Sequence, residues 1–140
     1  MTDTPCVMCD KYGRSGDALH IADLALSRVF LHEDQFFPGY VLLVLRRHVT
    51  EVYNLPAPER ARLMEEVSRV AQALARVFRP VKMNYELLGN MVPHIHWHLV
   101  PRLATDPAPR SPVWTVEHQV APPAPAVAGE RIDAIRRALA

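Results

Sequence analysis

The chain of 140 residues predicts an α+β domain with a largely antiparallel sheet. Three observations carry that reading. Short strand-like segments come first, between Leu19 and Leu45. One long helical stretch then runs from Pro58 to Phe78, and strand-like segments resume from Val81 to Val100. Apolar residues make up 49% of the chain, enough for one compact domain with its own core.

Met1 to Asp10 lacks a basic region followed by an apolar core, so it does not read as a secretory leader. Within it, Cys6-Val7-Met8-Cys9 holds the only 2 cysteines. Such a C-x-x-C pair reads as half a zinc site or as a redox dithiol. A redox dithiol usually sits where a strand meets a helix, whereas Asp10-Lys11-Tyr12-Gly13 is turn-like. Metal is therefore preferred, with a dithiol or two solvent-facing thiols as the alternatives. Leu19–Leu24 and Leu26–Leu31 read as short strands. Phe37-Pro38-Gly39 is a turn signal, and the apolar run Tyr40–Leu45 after it is a buried central strand, hairpinned to the segment before. Arg46-Arg47-His48 ends that strand.

From Pro58 to Phe78, Leu63, Val67, Val70, Ala71, Leu74, Val77 and Phe78 recur at helical spacing, and the Glu and Arg residues form a solvated face. Pro58 suits the first turn and Pro80 stops the helix. Val81–Leu88 is a strand, Gly89-Asn90 a turn, Met91–Val100 a second strand, and Pro101-Arg102 closes it. Residues 101–128 hold seven of the 13 prolines and read as an irregular arm containing Trp114. A short helix, Glu130–Leu139, places Ile132, Ile135 and Leu139 on one side. The expected organisation is a domain over residues 1–103, with residues 104–140 as an arm and helix packed on it. A net charge of +1 and the lack of like-charge runs argue against a basic arm for nucleic acid or an anionic membrane. No apolar stretch reaches membrane-spanning length. A cytoplasmic protein is the expectation.

The chemistry should lie in His94-Ile95-His96-Trp97-His98. In a strand, alternate side chains share a face. The three imidazoles then line one face, with Ile95, Trp97 and Leu99 in a core behind them. Imidazole can be nucleophile, acid–base or metal ligand near neutral pH. A lone histidine is more often structural, so His20 and His118, which have no motif, read as exposed. Phe30, Leu31 and Leu43 serve either a base pocket or the core.

Gly89 to Arg102, with its three histidines alternating with hydrophobic residues and a closing Pro101-Arg102, resembles the signature of the histidine triad (HIT) superfamily. Pro38–Val44 and Arg47–Val52 are similar to that family's strand-turn-strand block. The resemblance covers roughly residues 4–103. It implies about five antiparallel strands, a helix across them and a homodimer. It also implies hydrolysis or transfer at the α-phosphate of dinucleoside polyphosphates or nucleoside phosphoramidates, with His96 as nucleophile and His98 in support. Such a nucleophile attacks phosphorus in line with the leaving group and is freed by water, which divides one displacement into two. A backbone carbonyl on the far nitrogen of His96 would fix its tautomer. Turnover should then fall on acidification, because the attacking imidazole must be neutral.

A zinc-containing bacterial subset implies Cys6, Cys9, His48 and His94 as the ligands of a closed, structural site. Asn90 and Gly89 fall where the family meets phosphate, and His32 falls near its ribose-binding asparagine. Three positions depart from the pattern. Tyr40 stands where many members have histidine, Asn90 where many have glutamine, and the loop Leu87–Asn90 is short. A nucleotide-binding regulatory protein with weak turnover is the alternative function. A catalytic metal on the triad is a further one, strained because His94 and His98 are about 13 Å apart along a strand.

Overall fold

The structure is a computed structural model that describes residues 5–13 and 16–140. Residues 1–4, the beginning of the segment read for leader character and of the expected 1–103 domain, lie outside the described residues, as do 14 and 15. Five strands form one antiparallel sheet: β1 (His20–Asp23), β2 (Ser27–Leu31), β3 (Val41–Leu45), β4 (Lys82–Glu86) and β5 (His96–Arg102). Their order is β1-β2-β3-β5-β4, so β3 and β5 are central. Three helices accompany them: α1 (Val7–Tyr12), α2 (Ala57–Phe78) and α3 (Pro125–Leu139). No helix among the described residues is long and apolar enough to cross a membrane.

Both faces of the sheet are covered, which explains why β3 reads as an unbroken apolar run. Val41, Leu43 and Leu45 face α2 and α3, packing with Leu63, Val67, Val70, Leu74, Ile132 and Ile135. Leu42 and Val44 face the other way, into a second cluster with Phe30, Tyr40, Val100, Met8 and Tyr12. Leu31 and Leu43 therefore belong to the core against α2, and of the three candidate base-pocket residues only Phe30 lies on the opposite face.

The α2 solvated face has one exception. Glu66 is buried, accepting hydrogen bonds from Leu26 N at 3.0 Å and Ser27 Oγ at 2.6 Å, and so ties the β1–β2 turn to the helix. The Pro-Gly turn is fixed by sterics. Gly39 has φ +85°, and an added Cβ would lie 2.7 Å from the Phe78 ring. Gly39→Ala is expected to lower stability by roughly 1–3 kcal/mol, from left-handed strain plus overpacking. A urea midpoint that falls at constant slope would show it.

Three boundaries differ from the sequence reading. Asp10 to Tyr12, read as turn-like, belongs to a short helix that starts at Val7. The histidine strand starts at His96 instead of Met91. Pro93 has no N–H for a ladder, and His94 N turns back to Val92 O at 2.8 Å. Ile95 nevertheless bonds Leu45 N and Val49 O, which carries the alternation of faces through His94. The C-terminal helix starts five residues early, with Pro125 in its first turn, where a missing N–H is harmless.

Candidate active site and metal centre

His96 and His98 stand opposite Val44 and Leu42 in the β3–β5 register, so they share the face away from α2. Ile95, Trp97 and Leu99 pack on the α2 side. All three triad imidazoles are buried. His96 donates from Nδ1 to the His94 carbonyl at 2.6 Å, which leaves the lone pair on Nε2. The His96 and His98 rings are 5.0 Å apart at 67°. The Tyr40 hydroxyl lies 2.6 Å from His98 Nδ1. Burial, followed by the charges of His96 and His32, pushes the His98 imidazole down to about 3, so it is neutral throughout the physiological range. A cavity of about 220 Å³ joins His96 and His98 to Gly89, Asn90 and Trp114. The Trp114 ring stands edge-on to His98 at 4.7 Å.

His32 is not brought to that cavity. It stacks flat on the Tyr40 ring at 4.0 Å, and its Nδ1 accepts from Asp34 N at 3.0 Å. Burial holds its imidazole below the ordinary range.

The first triad histidine, on the same face, turns its ring to the cysteines instead of the cavity. His94 donates from Nε2 to Leu45 O at 2.7 Å, freeing Nδ1. That nitrogen lies 3.5 Å from Cys6 Sγ, 3.5 Å from Cys9 Sγ and 3.2 Å from His48 Nδ1. Cys9 Sγ and His48 Nδ1 are 3.6 Å apart. These separations can be set against a tetrahedron with Zn–S of about 2.3 Å and Zn–N of about 2.0 Å, whose S···N edges are about 3.5 Å and N···N edge about 3.3 Å. The four ligand atoms therefore fit a closed zinc site. With both nitrogens of His94 committed, a three-histidine chelate with His96 and His98 is not assembled.

Residues 15–105 match the HIT domain family. The chain belongs to the HIT family. Its fold matches that of a histidine triad protein from Bradyrhizobium japonicum with TM-score 0.80 and 37% identity, over 86% of this chain and 90% of that one. A Zn-bound histidine triad family protein from Mycobacterium smegmatis shares the fold with TM-score 0.69 at 23% identity, over 96% and 92% of the two chains. A bis(5'-nucleosyl)-tetraphosphatase (asymmetrical) from Schizosaccharomyces pombe is 31% identical over 86 residues, 58% of this chain and 47% of that protein. The chain spans about half the length of the curated relatives it matches.

Several groups around this HIT site left no mark in the sequence. Glu86 on β4 pairs with His98 across the strands. Among the described residues its Oε2 is buried without a hydrogen-bond partner, and burial raises its carboxyl above the ordinary range. Arg102 is 2% exposed. It donates to Asp106, to Asn84 Oδ1 at 2.7 Å and to the carbonyls of Ser111 at 2.7 Å and Ala108 at 2.6 Å, folding the Pro-rich arm back toward the sheet. His20 and His118 are not free surface histidines. His20 Nε2 bonds Asp23 at 2.9 Å. His118 stacks on Phe36 at 4.0 Å and donates from Nε2 to Asp34 at 2.7 Å.

The His118–Asp34 clasp carries a pH dependence. Asp34 raises the His118 imidazole. The Asp34 carboxyl is lowered despite burial, through Ala121 N, His118 and Phe36 N. The His118 contribution is complete below its unfolded value of about 6.5 and is lost as pH rises through its raised value. The Asp34 contribution is complete above about 3.9 and is lost as pH falls through its lowered value. The clasp is therefore fullest between about pH 4 and 6.5. Hydrogen exchange at Val116–Ala121, corrected for its intrinsic pH dependence, should show protection falling as pH rises above neutral. Asp34→Asn should abolish that dependence.

Proposed function

We propose that this HIT protein binds nucleotides and cleaves dinucleoside polyphosphates or nucleoside phosphoramidates at the α-phosphate, through a covalent nucleotidyl-His96. The observation that carries the reading is the His96 Nδ1–H bond to the His94 carbonyl at 2.6 Å, beside a cavity shared with His98. It leaves Nε2 as a neutral nucleophile. Nε2 attacks the α-phosphorus, the bond to the leaving group breaks, and the leaving group departs with the electron pair and takes up a proton. Water then attacks phosphorus, the N–P bond breaks, and the nucleoside monophosphate leaves. His98 supports by hydrogen-bonding a phosphoryl or leaving-group oxygen. Asn90 and Gly89, at the cavity wall, are the groups proposed to meet phosphate. His32 is proposed to act on the nucleoside only through the ring it stacks on.

Cys6, Cys9, His48 and His94 would hold a structural zinc, whose charge keeps the thiols deprotonated and crosslinks the N-terminal segment to the strand that carries His96. The tetraphosphatase relative favours the polyphosphate branch. In this reading residues 1–103 carry the chemistry and residues 104–140, the arm and helix, pack on the same domain, in a cytoplasmic homodimer with neither nucleic-acid nor membrane partners.

The test is nucleoside monophosphate release from a panel of dinucleoside polyphosphates and nucleoside phosphoramidates. Release identifies the branch by the best substrate. Tight nucleotide binding with no release from any panel member would replace this reading with that of a regulatory binding protein.

A further inference from the structure

We propose that Tyr40 is a positioning residue that holds His98 as its Nε2–H tautomer. The site then offers one lone pair, on His96, and one hydrogen-bond donor, on His98. The catalytic meaning rests on the reaction proposed above; the tautomer assignment does not.

The argument begins with the phenol. Tyr40 is 5% exposed, and among the described residues its hydroxyl meets one hydrogen-bonding partner, His98 Nδ1 at 2.6 Å. A buried hydroxyl proton without an acceptor is costly. The lone pair of His98 Nδ1 is the acceptor at hand, so the phenol donates and the imidazole proton goes to Nε2. The reverse arrangement, Nδ1–H donating to the phenol oxygen, would strand the phenol proton in the protein interior. Burial raises the phenol above its ordinary range, so Tyr40 remains a donor at every pH where the protein works.

Tyr40 is itself held on several sides. Its backbone carbonyl accepts from His32 N at 2.9 Å and from Gln35 Nε2 at 2.9 Å. Its ring lies flat against His32, at 4.0 Å and 7°. Arg131 on α3 donates to Gln35 Oε1 at 2.9 Å, which steadies the side chain that grips Tyr40. The hydroxyl is therefore aimed by the connection between β2 and β3, a part of the chain far from β5 in sequence.

The consequence is a division of labour between two adjacent imidazoles. His96 donates at Nδ1 to a carbonyl, and His98 accepts at Nδ1 from a phenol. Their outward nitrogens are therefore opposite in character. A histidine at position 40 can be donor, acceptor or cation, and it changes among these near neutral pH. A tyrosine offers one proton and no positive charge. The residue that departs from the family pattern thus makes His98 a donor by tautomer rather than by protonation.

The test is the side-chain spectrum of ¹⁵N-histidine-labelled protein near neutral pH without nucleotide, with His98 assigned by its loss in His98→Asn. In the wild type, His98 should carry its proton on Nε2, with Nδ1 at the shift of a hydrogen-bonded acceptor. In Tyr40→Phe that Nδ1 signal should move to the unbonded position and the Nδ1–H tautomer should become populated, while the His118 signals stay in place. With any panel substrate that turns over, kcat should fall about three- to tenfold in Tyr40→Phe, with KM within about twofold. An Nδ1–H tautomer for His98 in the wild type overturns the proposal, and so does a His98 signal unchanged by Tyr40→Phe. If Tyr40→Phe does not fold, the wild-type tautomer decides alone. If no panel substrate is cleaved, the hydrolase reading fails and the spectrum still decides this one.

Discussion

His96→Ala is expected to lower nucleotide release by at least about a thousandfold, the scale on which removal of a covalent nucleophile acts. The fold should survive. His96 is a strand residue whose side chain makes one hydrogen bond among the described residues, to the carbonyl two residues back, and losing it costs about 1 kcal/mol. The same buried position allows a stricter version of the experiment. His96→Gly leaves a space beside the cavity, and free imidazole entering it should restore part of the rate, because the missing group is a neutral ring nitrogen. Wild-type protein quenched at alkaline pH during turnover should carry the mass of one nucleotidyl group, and His96→Ala should carry none. A His96→Ala rate within tenfold of wild type would remove covalent catalysis from the reading. His98→Ala is expected to show a smaller loss, since it removes a donor and leaves the attacking nitrogen intact.

How much of this was legible depended on the range of the interaction. The face shared by His94, His96 and His98 follows from a period of two, and the burial of Ile95 and Leu99 behind them follows from the same rule. The succession of strands and long helix along the chain was legible for the same reason, as local periodicities, whereas the sheet order β1-β2-β3-β5-β4 was not. The boundaries at Met91 and Glu130 were misread where prolines stand close by. Pro93 ended a strand that looked continuous, and Pro125 began a helix within a segment that looked irregular. Pairings across the chain gave no local signal. Tyr40 meets His98 58 residues away, and His118 meets Asp34 84 residues away. Glu86 next to His98 required the β4–β5 register, which a single strand's pattern does not specify. The buried Glu66 illustrates the same limit, since its helical spacing placed it among solvated residues while the β1–β2 turn supplied its partners.

Removing zinc is expected to lower the melting temperature by about 10 °C or more. A ligand held at a thousandfold over its Kd contributes about 4 kcal/mol, and a chain of this size loses roughly 2–4 °C per kcal/mol. Protein purified without added metal should contain one zinc per chain by elemental analysis. Well below one equivalent, with none taken up on addition, would sink the site. The thiols explain the pH dependence. Without a cation, the Cys9 thiol is pushed up to about 11 by burial, by its hydrogen bond with Cys6, and by the charges of Cys6 and Asp10. Zinc must displace that proton, so its affinity should weaken as pH falls and chelators should strip it faster in acid. The effect should reach the chemistry in one direction only. His94 offers its ring to the thiol cluster and its carbonyl to His96 Nδ1. Stripping the metal frees that ring, loosens the carbonyl that fixes the His96 tautomer, and should lower kcat about tenfold, the scale set by lost outer-sphere support. His96→Ala leaves all four ligands in place and should retain its zinc.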